Sequence, residues 1–379
     1  MSLLTYEQTR PWAKSIREKV SLGQMPPWHS VEPRGTFSND RRLTDADRDT
    51  LIRWAGTGAE RGDDKDLPSQ PKFTDGWDIG KPDLILSMAK PFEVPASGTI
   101  NYQYSSVPTN FTEDRWIQAI EVRPGARAVV HHVLVFSRGT DTQPRAPAFF
   151  QVPPQSAPAT PEDTARRRQA PTGPGTLIAT TAPGTNAMTF EPGSAMRIGA
   201  GATLVFQIHY TSNGKATADR TSVGMIFAKQ PLREIRTSAF VNPFLKIPPG
   251  APDQAVDSAI EFSQDVHITA LFPHTHLRGK SWAYRLVYPD GRSEAVLSVP
   301  KYDFNWQTYY VFTTPLAVPK GSRLEASAHY DNSEANRWNP DPKVEVHWGE
   351  QTWQEMQYSG ITYFVDDAGN QTTATGSRD

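Results

Sequence analysis

The chain after Phe73 is a succession of short apolar runs separated by Gly, Pro and other turn residues. Some runs alternate apolar and polar residues, as Trp116 to Val122 does, which is typical of a strand with one buried face. The run from Val129 to Phe136 is apolar almost throughout, which indicates a strand buried on both faces. Many short strands with frequent turn signals predict a mainly β protein built from sandwiches or jelly rolls.

The predicted strands fall into two sets along the sequence. We therefore expect two tandem antiparallel β-sandwich (jelly-roll) domains, at residues 67–233 and 234–379. Residues 139–175 are rich in Pro, Ala, Thr and Arg, and this composition predicts a long surface loop. The pairs Asp290-Gly291 and Lys320-Gly321 predict hairpin turns.

Residues 1–66 carry helical patterns and form a short helical segment ahead of the strands. Trp12, Ile16 and Val20 are spaced by four residues, which predicts a helix with one apolar face over Tyr6–Leu22. A second helix is predicted between a capping threonine and a glycine, with three residues on its buried side: Thr44, Gly58, Leu51, Ile52 and Trp54.

The composition excludes several classes of function. The chain has no cysteine, so His, Met and carboxylates remain as metal ligands, and disulfides or thioether-linked haem are ruled out. A formal net charge of -2 gives no electrostatic case for nucleic acid. No stretch approaches the ~18 apolar residues of a membrane span. The start of the chain lacks the features of a signal peptide. We expect the full-length protein to be exported, periplasmic or extracellular, and this chain to be a trimmed form of it.

His274 and His276 form the most informative pair among the nine histidines. They lie one residue apart in a strand-like run, and residues i and i+2 of a strand point to the same face. Both rings can therefore converge on one ion, and two imidazoles suit copper, zinc, iron or nickel. The alternative is a polar patch at the end of a strand.

His131 and His132 are adjacent within an apolar strand, where two unpaired imidazoles would cost several kcal/mol to bury. A metal, or a hydrogen-bond partner for each ring, has to offset that cost. Adjacent strand residues point to opposite faces, so both can bind one ion only at a strand end or a bulge. His209 alternates with Gln207 along another strand, and taken alone it is best explained as a lone exposed histidine.

In this order along the chain, these pieces resemble the copper type II ascorbate-dependent monooxygenases. The resemblance covers roughly residues 95–365. The matching pieces are His131-His132 in an apolar strand, His209 within Gln207–Tyr210, His274-Thr275-His276 followed by Gly279-Lys280, and Glu355-Met356. His347 lies nine residues before Met356, as a histidine does in peptide-hydroxylating members of the family.

The resemblance implies two copper ions per chain, on two sandwiches that face each other across a cleft. The first copper, for electron transfer, would be bound by His131, His132 and His209. The second copper, where oxygen is activated, would be bound by the catalytic set His274, His276 and Met356. A thioether favours Cu(I), the state that binds O₂, whereas the alternative for Met356 is a core methionine.

The resemblance also implies a role for two other polar residues. Gln207 and His347 would orient ligands, and the alternative is that both are ordinary polar strand residues. For His267 and His329 we expect the ordinary role.

The sequence departs from the family at the substrate anchor. Peptide-hydroxylating members fix a substrate carboxylate with an Arg before the His pair and an Asn and a Tyr after the Met. This chain has Phe272, Tyr358 and Gly360 at those places. Phe272 and Tyr358 would therefore bind a neutral or aromatic substrate.

The N-terminal segment resembles a different family. Gln24-Met25-Pro26-Pro27-Trp28 is similar to the C-terminal part of a bacterial cytochrome c domain, in which that Met can bind haem. The haem-attachment cysteines are missing, so we expect a remnant in which Met25 is structural.

These features together predict a monooxygenase that hydroxylates a C–H bond of a small organic substrate with O₂. The implied reductant is external, either ascorbate or a redox protein such as a cytochrome. Two alternatives stay open: a non-catalytic copper or electron-transfer protein, and a jelly-roll ligand-binding module with incidental histidines.

Overall fold

The structure is a computed structural model that describes residues 3–67, 69, 76–139, 148–152, 175–185, 187–229 and 233–366. It confirms the mainly β fold, with helices in the N-terminal segment. The helices in the described ranges are α1 (Tyr6–Thr9), a 3-10 helix (Arg10–Trp12), α2 (Ala13–Ser21), α3 (Asp45–Gly56) and a second 3-10 helix (Asp64–Asp66). None of these is long and apolar enough to cross a membrane.

The strands are numbered in chain order. Those before residue 230 are β1 (Leu84–Ser87), β2 (Phe92–Val94), β3 (Gln103–Pro108), β4 (Arg115–Arg123), β5 (Val130–Arg138), β6 (Phe149–Val152), β7 (Thr176–Thr181), β8 (Met188–Thr189), β9 (Ser194–Ile198), β10 (Thr203–Tyr210), β11 (Thr217–Asp219) and β12 (Ser222–Phe227). Those after it are β13 (Arg233–Val241), β14 (Lys246–Ile247), β15 (Gln254–Phe262), β16 (Val266–His274), β17 (Gly279–Val287), β18 (Ser293–Val299), β19 (Tyr310–Val318), β20 (Arg323–Tyr330), β21 (Val346–His347) and β22 (Tyr358–Val365).

Two sandwiches follow one another along the chain, each closed around its own core. In the first, the sheet β3-β10-β5-β7 packs on β1-β12-β4-β9, and residues such as Ile117 and Phe206 are fully buried between them. In the second, the sheet β18-β17-β20-β15-β6 packs on β13-β22-β16-β19, around residues such as Ile260 and Leu271. The alternating burial along β15 and β20 is the period-2 pattern of strands with one face in a core.

The two sandwiches share one sheet. Strand β13 pairs in parallel with β9 of the first sandwich and antiparallel with β22 of the second, so a single nine-stranded sheet runs through both. The shared sheet contains β16, which carries His274, whereas β5 and β10, which carry the strand histidines of the first sandwich, lie in the separate sheet β3-β10-β5-β7. The domain boundaries proposed from the sequence, after residues 66 and 233, stay a prediction.

The segment after α2 packs on the second sandwich. Trp28 and Phe37 are buried against Tyr310, with ring centroids 5.1 and 5.4 Å from the tyrosine ring. The backbone follows the edge strand β19, where the N–H of Thr313 donates to the carbonyl of Thr36 at 3.0 Å. These residues therefore belong to the second core.

The helices themselves are less buried than their patterns predicted. The cap at Thr44 is confirmed, since its hydroxyl accepts from the N–H of Asp47. The predicted buried side of α3 is wrong, because that helix has no buried residue, and Trp12 is 45% exposed. The cause is that α2 and α3 pack against each other, which covers only part of each apolar face. Met25 is 43% exposed.

Two details of the loops also differ from the sequence prediction. Part of the expected loop at residues 139–175 is strand β6, which extends the second sandwich by pairing with β15; residues 140–147 and 153–174 lie outside the described residues. Asp290-Gly291 does connect the hairpin β17–β18. Lys320-Gly321 is a turn but not a hairpin, because β19 and β20 lie in different sheets.

Candidate metal centre

The first histidine group consists of His131, His132 and His209, on the neighbouring strands β5 and β10. His209 is directly opposite His132, but the next residue, Tyr210, pairs with Val130. His131 is therefore the extra residue of a β-bulge, and the bulge turns two adjacent histidines towards one point. One ligand atom from each of the three rings lies within 4.8 Å of the others.

Burial keeps the three imidazoles of the first histidine group in the neutral form, in which a ring nitrogen can bind a metal. Desolvation lowers the pKa of His131, lowers that of His209 to about 4 and lowers that of His132 still more clearly, where the neighbouring histidines add to the effect. The Nδ1 atoms of His131 and His132 are 3.1 Å apart. The Nδ1 of His209 is buried without a hydrogen-bond partner. Three neutral imidazoles with an unpartnered nitrogen fit a metal ion.

Tyr102 closes one side of this group. Its ring stands edge-on to His132 and His209, with centroids 5.6 and 5.3 Å away. An aromatic wall of this kind fixes the ring orientations and keeps water from two of the three imidazoles.

The second histidine group consists of His274 and His276, at the end of β16 and just beyond it. The Nδ1 of His274 donates to the side-chain oxygen of Gln307 at 2.9 Å, and the Nδ1 of His276 donates to the backbone carbonyl of Gln354 at 3.2 Å. These partners assign the proton to Nδ1 in both rings and leave Nε2 with its lone pair, as a metal ligand requires. Burial lowers the pKa of His274 to about 4 and lowers that of His276 well below its ordinary value.

The turn that presents His276 is held by a buried carboxylate. One oxygen of Glu355 accepts from the N–H of His276 at 2.8 Å, and the other accepts from the N–H of Arg278 at 2.7 Å. Just after Arg278, Gly279 lies so close to the side chain of Thr275 that any larger residue there would collide with it. The backbone around the second histidine group is therefore fixed by hydrogen bonds and by packing.

Arg278 is a buried cation next to this carboxylate and is 1% exposed. Its guanidinium donates to the side-chain oxygen of Asn332 at 2.8 Å and to the carbonyl of Trp353 at 2.9 Å. Burial lowers the pKa of Arg278, and the charge of Glu355 opposes that shift. Burial raises the pKa of Glu355 to about 8, against the lowering effect of its N–H partners and of Arg278. Both backbone bonds are strongest when Glu355 is ionised, which with this pKa requires a pH above about 8.

Both histidine groups border one cavity of about 380 Å³. His132 of the first group and His274 and His276 of the second line it, together with Met356. Met356 follows Glu355 directly, and the Tyr330 hydroxyl donates to its backbone carbonyl at 2.9 Å. The sequence-predicted residues of the two groups are thus brought together around a common space.

Phe272 and Tyr358 line the same cavity beside the second histidine group. Phe272 is stacked near His274 with centroids 6.0 Å apart, and Tyr358 stands edge-on to the same ring at 6.2 Å. Gly360 is directly opposite Phe272 in the sheet, and a Cβ there would lie 3.1 Å from that of Phe272. The two departures from the family pattern, Phe272 and Gly360, therefore belong together: the small residue makes room for the large one.

Gln207 and His347 lie differently from each other. Gln207 borders the cavity, but its amide donates to the Tyr104 hydroxyl at 2.7 Å, and that hydroxyl donates to Glu350 at 2.8 Å. His347 lies outside the cavity lining, and its Nε2 is 2.9 Å from Glu345. No contact on a histidine of either group supports the ligand-orienting role for these side chains within the described residues.

His267 and His329 pair with Asp366 and Asp253 at 3.0 and 2.9 Å, away from both groups. This arrangement agrees with the ordinary role expected for both.

Three residues of the site had no clear sequence signal. Gln307 and Phe304 lie in the loop before β19, which begins at Tyr310, and no local pattern distinguishes them from other loop residues. Arg278 follows the histidine pair, but nothing in the local pattern indicates that its charge is buried.

One comparison with known protein families bears on this site. A family model described as "Copper type II ascorbate-dependent monooxygenase, C-terminal domain" matches residues 240–375. No curated protein matches the chain significantly.

Among solved structures, the chain is similar to the major capsid protein P2 from Bacteriophage PM2, at 10% identity and a TM-score of 0.30, over 76% of this chain and 99% of that chain. It is also similar to PBCV-1 VP54, at 10% identity and a TM-score of 0.25, over 75% of this chain and 95% of that chain. Neither likeness carries a conclusion about function. Residues 240–375 therefore form a domain of the copper type II ascorbate-dependent monooxygenase family.

Proposed function

We propose that this protein is a two-copper monooxygenase that hydroxylates a C–H bond of a small organic substrate with O₂ and an external reductant. The observation that carries the proposal is that two separate histidine groups border one cavity of about 380 Å³. The overall reaction is R–H + O₂ + 2 e⁻ + 2 H⁺ → R–OH + H₂O. Bound copper would supply one electron at each group, and ascorbate or a redox protein would restore both.

In this proposal the first copper is held in the domain at residues 67–233 by His131, His132 and His209. These residues bind through neutral imidazoles that burial keeps unprotonated. The unpartnered Nδ1 of His209 supports this assignment, because an orphaned buried nitrogen is costly without a ligand.

The second copper is held in the domain at residues 234–379 by His274, His276 and Met356, which form the catalytic set. Gln307 and the carbonyl of Gln354 orient the two rings, so that each presents Nε2 to the metal. The soft thioether of Met356 favours Cu(I). Phe272 and Tyr358 would bind the substrate next to this group.

The cavity favours a neutral or aromatic substrate over a carboxylate. Apart from the neutral histidines, Glu350 is the only formally charged residue among the described residues of its lining. An anionic substrate would meet no lining cation there and would face Glu350, and a buried unpaired carboxylate is costly. Phe272 and Tyr358 offer aromatic contacts that contribute about 1 kcal/mol each beyond area burial.

The test is copper-dependent O₂ uptake with ascorbate, coupled to a hydroxylated product from a neutral aromatic substrate. The copper-free protein and the His276→Ala variant serve as controls, and both should consume no O₂ beyond background. Two bound coppers without substrate-dependent O₂ uptake would instead favour the electron-transfer alternative. Failure to bind copper tightly would leave only a ligand-binding module.

A further inference from the structure

One aromatic side chain, Phe304, lies between the two histidine groups. Its ring is stacked on His131, with centroids 5.1 Å apart and an interplanar angle of 15°. The same ring meets His276 edge-on, with centroids 6.1 Å apart and an angle of 85°. Phe304 is only 9% exposed, so these contacts are largely shielded from water. One residue of each histidine group therefore touches the same phenyl ring.

The segment that carries Phe304 is attached to both sandwiches. On the first-sandwich side, the N–H of Gln307 donates to the carbonyl of Pro183 at 2.9 Å. Gly184 lies against this backbone, and a Cβ there would be 3.3 Å from the nitrogen of Gln307. Because Gly184 also has a φ of +95°, a larger residue would be strained as well as crowded.

On the second-sandwich side, the same segment holds the second histidine group. The side-chain oxygen of Gln307 accepts from His274, and its amide donates to the carbonyl of Phe304 at 3.3 Å. The Tyr302 hydroxyl donates to the carbonyl of Thr275 at 2.9 Å, between the two histidines. The backbone that carries Phe304 is therefore held from both sides, and its ring is held by packing against His131 and His276.

We propose that Phe304 is a positioning residue that couples the two histidine groups. It holds the His131 ring in place for the first metal and fills the space up to His276, so that electrons pass through a packed aromatic contact. This inference rests on the proposed function. In the reaction above, two electrons reduce O₂ at the second group, and one of them has to cross from the first group. A packed side chain provides that path, whereas a gap would admit water and loosen the His131 ring.

The experiment compares Phe304→Leu, which removes the ring but keeps an apolar side chain, with Phe304→Tyr, which keeps the ring. Phe227→Leu is the matched control, because the Phe227 ring packs edge-on against Phe111 at 6.0 Å and under Arg115, with no histidine among its ring contacts in the described residues. Each variant is loaded with copper alone, and bound copper is counted. The reduced protein is then mixed with O₂ and saturating aromatic substrate for a single turnover, and Cu(II) is followed by rapid-freeze electron paramagnetic resonance.

We expect all variants to bind two coppers at saturation. Formation of Cu(II) should slow by about tenfold or more in Phe304→Leu, and Phe304→Tyr and Phe227→Leu should match the unsubstituted protein. In steady state, Phe304→Leu should lower kcat and leave KM for the substrate unchanged, because Phe304 is not among the residues that line the cavity.

Three outcomes would overturn the inference. Two bound coppers with an unchanged rate of Cu(II) formation in Phe304→Leu would show that the ring is not the coupling contact. Loss of the first copper from Phe304→Leu would make Phe304 a support of one site only. Fewer than two coppers in the unsubstituted protein would overturn the proposed function and this inference together, which separates that failure from the other two.

Discussion

Replacing Glu355 with glutamine should destabilise the protein and empty the second histidine group. Each carboxylate oxygen accepts one backbone N–H, from His276 at 2.8 Å and from Arg278 at 2.7 Å. An amide has one acceptor oxygen, so one of the two N–H groups would lose its partner and face an NH₂ group instead. The lost bond to a charged acceptor is worth about 1.5–3 kcal/mol.

Because Arg278 is a buried cation, we expect the loss of stability in Glu355→Gln to lie at the upper end of that range. Arg278 is 1% exposed, and the charge of Glu355 is one of the effects that keep its guanidinium protonated. Without that charge, Arg278 keeps its bonds to neutral oxygens only. We therefore expect the free energy of unfolding to fall by about 3 kcal/mol.

The assay is urea unfolding of the copper-free protein at a pH above 8, where Glu355 is ionised. The slope of free energy against urea is checked for constancy. Glu345→Gln is the control, since that side chain pairs with Lys246 at the surface, where little loss of stability is expected. Copper counting should show the first site kept and the second weakened in Glu355→Gln. A loss below about 1 kcal/mol with two coppers retained would refute the role given to Glu355.

Three further predictions concern the cavity. Met356→Leu should keep the first copper and abolish or strongly weaken substrate-dependent O₂ uptake, and unchanged turnover would contradict the assignment of the thioether. Gly360→Ala should lower the free energy of unfolding, measured with urea, by about 1–3 kcal/mol, because the new Cβ would crowd Phe272. A second substitution, Phe272→Ala, should remove part of that crowding. If Gly360→Ala has the same effect with and without Phe272, this packing is contradicted. Under ascorbate and O₂, neutral aromatic substrates should be hydroxylated more efficiently than an acylglycine, and the reverse order would show that another cation replaces the missing arginine.

The sequence predicted the strands of the two sandwiches well where local periodicity determines the secondary structure. Strand β20 is found at Arg323–Tyr330, as the alternation of apolar residues indicates, and β10 at Thr203–Tyr210. Periodicity does not show which strands become neighbours in a sheet. The parallel pairing of β9 with β13 depends on contacts between distant parts of the chain, and no local pattern predicts it.

The candidate site shows the same limit. His131 and His132 could bind one ion only at a strand end or a bulge, and the structure has a β-bulge at His131. The order of the histidines allowed two groups to be predicted, but their common cavity follows from the tertiary fold. Arg278, Phe304 and Gln307 were missed because their importance lies in what they contact, and those partners are separated from them in sequence.

The most direct test of the account is to locate copper in crystals of the copper-loaded protein by anomalous scattering at the copper absorption edge. Two peaks per chain are predicted, one among His131, His132 and His209, the other beside His274, His276 and Met356. His132→Ala should lose only the first peak, and His276→Ala only the second. A single shared peak, no peak at either group, or the loss of both from one substitution would contradict two separate copper sites on one cavity.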